Sequence, residues 1–344
     1  MLKHLSLTNY RNHKKFDLDF SDITVLIGKN GVGKTNILES IGVIGYGRSF
    51  RGENRLDLIR LDADYTRIIA DDLEVFIQKS PRLIFQSKER GVKRKIADFI
   101  GLLPVVIFSP ESLEIVTGEP KERRRFLDIL ISQHDHQYFR ALLEYKKVLM
   151  QRNNLLKRIS EGSAQAEELD FWDLELARLA KIITKKRLEV VSDFSDQLTP
   201  LYRLISGNED SKLEIIYHPK ADDDFITKLA ARRSIDIAAG LTLTGPHRDD
   251  LVFKLNDLEA DKFASRGELR SAVLALKIAE LKYLENDKKP MLLLDDIFSE
   301  FDADRRSHLF KLIKNYQTLI TTTDKEHLSK ELLKSASVIE IVGT

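Results

Sequence analysis

The stretch Gly28-Lys29-Asn30-Gly31-Val32-Gly33-Lys34-Thr35 has the spacing of a phosphate-binding loop: a glycine, four free positions, then Gly-Lys-Thr. Its context fits. Ile23-Thr-Val-Leu-Ile27 before it is short, apolar and β-branched, as a buried strand is, and Ile37, Leu38 and Ile41 after it fall on helical spacing. Strand, glycine turn and helix let backbone N–H groups curl around a phosphate while the helix presents its positive end to the same anion. On this reading Gly28, Lys29, Asn30, Gly31, Val32, Gly33 and Asn36 surround the phosphates. Lys34 reaches the β- and γ-phosphates of a nucleotide, and the Thr35 hydroxyl ligates Mg²⁺.

The bulk composition narrows the class without choosing a function. A chain of 344 residues, 42% hydrophobic and 32% charged, is ordinary for a globular protein with two or three core-bearing units. No apolar run approaches the ~18 residues of a spanning helix, and the alternating start Met1-Leu-Lys-His-Leu-Ser-Leu-Thr-Asn-Tyr10 lacks the apolar block of a signal peptide. A cytoplasmic location without membrane contact is expected. Zero cysteines exclude disulfides and thiolate metal sites. A net charge of +1 means that nucleic-acid binding would have to rest on local basic groups such as Lys93-Arg94-Lys95 or Arg123-Arg124-Arg125.

Outward from the glycine loop, residues 2–9 and 16–20 alternate like half-buried strands and, with 23–27, predict a mixed N-terminal sheet. Ile44 to Arg51 reads as a loop. Tyr65 to Ala70, Leu73 to Ile77 and Arg82 to Phe85 read as further strands, with Lys88 to Lys95 as a hairpin end and Val105 to Phe108 as a buried strand. From about 121 the period turns helical. Tyr138, Leu142, Tyr145, Leu149, Leu156 and Ile159 alternate steps of four and three, interrupted at Arg152; Trp172, Leu176, Leu179, Ile183 and Val190 repeat the pattern. Joined by Ser160 to Ala166, these segments predict an antiparallel helical hairpin roughly 33 Å long. Strands are then expected at Leu213 to Tyr217, Leu241 to Thr244, Thr318 to Thr321 and Val338 to Val342, and a helix from near Glu268.

Met291-Leu-Leu-Leu-Asp-Asp296 supplies the other half of a nucleotide site. Four apolar residues ending in two carboxylates describe a buried parallel strand whose C-terminal end meets ligand. Asp295 would hold Mg²⁺, and Asp296 stands where a base can polarise the attacking water, so Asp296 and Lys34 are the candidate catalytic pair. An Asp pair can also simply end a strand and cap the next element; the glycine loop tips the balance. Ser265-Arg-Gly-Glu-Leu-Arg270 opens a helix and offers a second anion-binding terminus. His134 and His136 flank Asp135 but have no further ligands in sequence, so a helix surface explains them better than a metal.

Together these motifs resemble the ATP-binding-cassette head of chromosome-maintenance and repair proteins. Asn9-Tyr-Arg-Asn12, the Pro110 to Asp128 stretch, Gly245-Pro-His-Arg-Asp-Asp250 and Leu294-Asp-Asp-Ile-Phe-Ser-Glu-Phe-Asp302 resemble, in order, the RecF family of bacterial recombination and gap-repair proteins. Glu119, Phe301, Asp296 in place of a glutamate, and Thr322 or Thr323 in place of a switch histidine depart from the commoner pattern.

The resemblance implies an α/β fold: an ABC-type, SMC-like ATPase head from residues 1–100 and 241–344, with a mainly helical lobe at 101–240 containing the hairpin. It implies ATP and Mg²⁺ as cofactors and Arg11 on nucleotide phosphate. Ser265 and Gly267 of one copy would close on the nucleotide of another in an ATP-dependent homodimer. It further implies slow, DNA-stimulated ATP hydrolysis that resets a clamp on double-stranded DNA near single-stranded gaps. RecR would be a partner, RecA loading the indirect consequence, and the nucleoid the location.

Three rivals remain, of which a long-armed chromosome-tethering ATPase would need hundreds of heptad residues, and in one branch a cysteine hook, that this sequence lacks. A transporter's nucleotide-binding subunit is disfavoured by the long separation of Gly33 from Ser265. A non-hydrolysing ATP-binding module remains open on the Asp296 and threonine departures.

Overall fold

Apolar and polar residues alternate along His4–Tyr10 (β1), where Leu5, Leu7 and Tyr10 are fully buried. The strand turns at Arg11 and Asn12 into His13–Asp19 (β2), pairing Tyr10 with His13. Ile23–Ile27 (β3) is buried at every position and leaves this sheet. Tyr65–Ala70 (β4), Leu73–Gln78 (β5), Ile84–Glu89 (β6) and Val92–Arg94 (β7) rejoin it, giving an antiparallel sheet in the order β2-β1-β4-β5-β6-β7. Val105–Phe108 (β8) is again wholly buried. After the helical segment come Leu213–His218 (β9), Asp250–Leu255 (β10) and Leu258–Glu259 (β11), then Met291–Asp295 (β12), Thr318–Thr322 (β13) and Ser337–Glu340 (β14).

The computed structural model describes residues 1–52, 54–286 and 288–342, without the side chains of 300, 303, 304 and 327. It divides into two units, Met1–Leu113 with Val273–Thr344 and Glu114–Ala272. In the first, β14-β3-β13-β12-β8 form an all-parallel sheet. Helix α1, Lys34–Tyr46, packs on strands of both sheets and is buried continuously from Ile37 to Tyr46. A central position explains why it is buried on every side, Glu39 and Ser40 included. The second unit holds the sheet β11-β10-β9 and the helices Pro120–His134, His136–Ser160 and Leu169–Ser206; the last two form the expected hairpin. Among the described residues no helix is long and apolar enough to cross a membrane.

Several expectations are corrected. The mixed N-terminal sheet resolves into two sheets, because β3 is buried along its whole length and takes parallel neighbours, while β1 is only half-buried between its buried positions and β2 is mostly exposed. Ile44 to Tyr46 continue α1, which ends at Gly47 in the left-handed region at φ 69°. The unit boundaries fall at 113/114 and 272/273 instead of near 100 and 241. β8 is hydrogen-bonded to β12 and so belongs with the first unit, while pairing of β10 with β9 keeps residues 250–255 in the second.

Leu241 to Thr244 form no strand. Their backbone donors are taken by side chains and a helix end: Thr242 N–H by Asn153 Oδ1 at 2.9 Å, Leu243 N–H by Asp236 Oδ1 at 3.2 Å, and Leu241 N–H by the Asp236 carbonyl. Arg152, the interruption in the apolar repeat, is completely buried. Its Nε donates to Asp173 at 2.7 Å and its Nη1 to Asp236 and Thr242 at 2.8 Å each.

Candidate nucleotide site

The glycine loop leaves β3 and enters α1, as the strand–turn–helix reading requires. Its shape excludes side chains at two places. A Cβ on Gly28 would lie 2.5 Å from the Ile341 carbonyl oxygen, and one on Gly33, at φ 104°, would lie 2.4 Å from His13 Nε2. Lys29, Asn30 and Gly31 form the exposed crest, and Val32 is half-buried. Lys34 is buried, with Nζ donating to the carbonyls of Gly28 at 2.7 Å and Lys29 at 3.0 Å. Burial pushes its pKa down, while Asp296 and Asp295 pull it back up. A cation so held is poised for a stronger anionic partner at the loop mouth.

Thr35 Oγ1 donates to Asp295 Oδ1 at 2.9 Å, and Thr321 Oγ1 donates to the same oxygen at 2.6 Å. Asp295 is buried, and burial raises its pKa above the usual carboxylate range against those two hydroxyl donors. Asp296 follows in the left-handed region at φ 50°, its N–H held by Thr321 Oγ1 at 3.1 Å. Its Oδ1 is buried without a hydrogen-bond partner. Backbone strain and an unsatisfied carboxylate oxygen on one residue are marks of a reactive position.

The donor set fits Mg²⁺. Two oxygens on one edge of an octahedron with ~2.1 Å bonds lie roughly 2.9 Å apart, which is the Thr35–Asp295 spacing. No cluster of three or more His, Asp or Glu able to hold a metal exists among the described residues. Few protein ligands, with substrate phosphates completing the shell, is the usual arrangement for Mg²⁺.

Other expected site residues sit differently. Arg11, itself in the left-handed region, gives Nε and Nη2 to Glu39 at 2.8 and 2.6 Å and Nη1 to the Asp57 carbonyl. The Asn36 side chain donates to Asn12 Oδ1 at 2.8 Å and accepts from Arg51 Nη1 at 3.0 Å. Ser265 and Gly267 belong to the other unit, where Ser265 and Glu268 form a capping box at the start of the helix Arg266–Leu284: Ser265 N–H donates to Glu268 Oε2 at 2.8 Å and Glu268 N–H to Ser265 Oγ at 3.3 Å.

Arg123 forms a two-pronged pair with Asp250 at 2.8 and 3.1 Å, Arg124 donates to the Asp249 carbonyl, and Arg125 lies 3.7 Å from Glu122. This cluster therefore binds its own unit together, where the sequence alone left a solvated face or a DNA-phosphate contact open. Asp135 caps the helix His136–Ser160 by accepting from Tyr138 N–H. Sequence reasoning missed Thr321 because it weighed only Thr322 and Thr323, of which Thr322 turns to the Asp324 carbonyl. It also missed Asn12, His13 and Glu39, whose signal was their place beside Arg11 and three residues beyond Asn36.

A parallel sheet with a phosphate loop after β3 and paired carboxylates ending β12 defines a P-loop ATPase with an ABC-type, SMC-like head. Residues 1–340 match the family model of the AAA ATPase domain. The DNA replication and repair protein RecF of Bacillus cereus (strain AH820) is 37% identical, over 99% of this chain and 97% of its own. The chain belongs to the RecF family. The solved structure of the recombination mediator protein RecF with ATP, of the RecFOR pathway, superposes with a TM-score of 0.87 at 33% identity, covering 95% of this chain and 93% of that one. The Smc head domain of Pyrococcus furiosus, at 17% identity and a TM-score of 0.53, shares the fold.

Proposed function

We propose that this chain is an ATP-driven, DNA-binding switch of recombinational and replication-gap repair, in which Mg·ATP closes two copies and hydrolysis lets them part. The observation that carries the catalytic part is the junction of β12 with α1: Thr35 and Asp295 in contact, with the unpartnered Asp296 Oδ1 beside them. Lys34 exchanges its two carbonyl partners for the β- and γ-phosphates. Thr35 and Asp295 would hold Mg²⁺, which would supply positive charge against that on the phosphates. Asp296 accepts a proton from the water that attacks the γ-phosphate. Aspartate is shorter than glutamate by a methylene, which favours slow turnover suited to a switch.

Ser265 and Gly267 at the start of their helix complete the partner's site, so closure reports bound ATP. Arg11 reaches the nucleotide only on releasing Glu39. Membership of the RecF family supports, as part of this proposal, double-stranded DNA near single-stranded gaps as the ligand, RecR as a partner and RecA loading as the outcome.

Sedimentation with ATP and DNA, separately and together, tests this reading. The parent should dimerise with ATP, and Asp296→Asn should persist as a closed dimer. Ser265→Arg should bind ATP but stay monomeric, and mixing it with Lys34→Met should restore some pairing through the one interface that keeps both loop and serine. ATP-dependent dimerisation of Ser265→Arg alone would refute the composite site. Turnover measured with and without DNA separates an ATPase from a non-hydrolysing module.

A further inference from the structure

The β1–β2 turn runs backwards along one face of α1. His13 meets Gly33, Asn12 meets Asn36 and Arg11 meets Glu39, so three consecutive turn residues contact positions spaced by three on the helix. The clamp is anchored at its far end, where the fully buried Glu39 accepts from Arg11, Tyr10 and Ser49. At its near end the turn grips the phosphate loop: Asn12 Nδ2 donates to the Val32 carbonyl and His13 Nε2 to the Gly33 carbonyl, each at 3.2 Å. Since a carbonyl can only accept, Nε2 carries the ring proton. His13 is buried, and burial lowers its pKa and keeps the ring neutral.

These two bonds have a consequence on the opposite side of the loop. A trans peptide is planar, with its C=O and N–H pointing in opposite directions. The carbonyls of Val32 and Gly33 share their peptides with the N–H groups of Gly33 and Lys34. Pulling both carbonyls toward the turn turns both N–H groups away from it, to the face where a phosphate is cradled. We propose that Asn12 and His13 are positioning residues for phosphate binding, aiming the Gly33 and Lys34 amides from behind the loop. The assignment rests on the nucleotide site proposed above and adds a layer to it: the affinity of the loop depends on residues that never touch the nucleotide.

ATP affinity measured by calorimetry on the full chain tests this, with far-UV circular dichroism to verify folding. His13→Phe keeps a buried ring and loses the donor, whereas His13→Gln changes the shape and keeps an N–H within reach of the Gly33 carbonyl. His13→Phe is expected to weaken ATP binding about tenfold, the worth of one well-placed hydrogen bond, and His13→Gln to remain within about twofold of the parent. If the ring served packing alone, the order would reverse; that order, or equal affinities for the two variants, overturns the proposal.

Asn12→Ala, in a half-exposed turn, gives an independent reading should His13→Phe fail to fold. A loss of about tenfold supports the brace and binding within about twofold of the parent refutes it. Lys34→Met in the same series separates the layers. If it abolishes binding while the turn variants bind normally, only the brace falls; if it binds ATP like the parent, the site itself is misplaced.

Discussion

Lowering the pH from 7 to 5 should loosen the helical unit through one histidine. His247 accepts from the Tyr145 hydroxyl at Nδ1, 2.8 Å away, and donates Nε2–H to the Thr242 carbonyl at 2.9 Å, so its neutral form is fully engaged. Burial lowers its pKa from 6.5 to about 4; Arg248 and Arg124 face it and add to the effect, while the Thr242 carbonyl and Asp249 oppose it. Between about pH 4 and 6.5 the unfolded chain therefore binds a proton that the folded chain refuses, and stability falls as pH falls. For this one group the loss between pH 7 and 5 is about 2 kcal/mol.

Other groups titrate over the same range, so the difference between parent and His247→Gln is the quantity to measure. Glutamine can both donate and accept there without titrating. Trp172 is the only tryptophan and packs against Leu155, Leu156 and Leu169, so its fluorescence in urea reports the helical unit. The parent should lose about 2 kcal/mol more than His247→Gln on going from pH 7 to 5. Parallel pH profiles for the two proteins would refute the assignment of a neutral, doubly bonded imidazole.

Arg152→Met should destabilise the helical unit by about 3–5 kcal/mol in the same fluorescence assay, because Asp236 stays buried after losing this cation while Asp173 keeps only Arg233; a loss under about 1 kcal/mol would show the cluster to be dispensable. Asp295→Asn should raise the melting temperature without Mg²⁺ and cancel any rise on adding Mg·ATP. The carboxyl's pKa is raised, so its ionisation at neutral pH costs stability that is recovered only as pH falls through that pKa. A Mg²⁺-dependent shift surviving in the variant would contradict the metal assignment. Arg123→Ala should cost about 1–3 kcal/mol in urea denaturation and leave the salt dependence of DNA affinity unchanged, since this guanidinium is spent on Asp250; a flatter salt slope would restore it as a DNA contact.

The parts of the fold that the sequence discloses are those whose burial is the same on every side. β3, β8 and β12 read as continuous apolar runs because a parallel sheet buries both faces, and the glycine loop reads from its spacing alone. Which sheet a strand joins is written in no single strand, and β3 was misplaced for that reason. Leu241 to Thr244 have strand composition, but their donors are captured by Asn153 and Asp236, residues distant in sequence. Arg152 looked like a defect in an apolar stripe, though its partners lie on two further helices. At the site the glycine loop and the carboxylate pair were legible as motifs, whereas Thr321 and the turn that grips the loop from behind depend on pairings across the whole unit.

The pairing of β3 with β13 and β14 also sets an order of events during synthesis. Ile23 pairs with Thr318 and Thr24 with Ser337, so the strand carrying the phosphate loop acquires both neighbours only when the last part of the chain emerges. By then every residue of the helical unit has left the ribosome. A nascent chain halted just before Met291 would contain the whole glycine loop but neither Asp295 nor a strand on either side of β3. Nucleotide binding thus waits on strands made after the helical unit, and contacts of such long sequence separation slow closure of the parallel sheet.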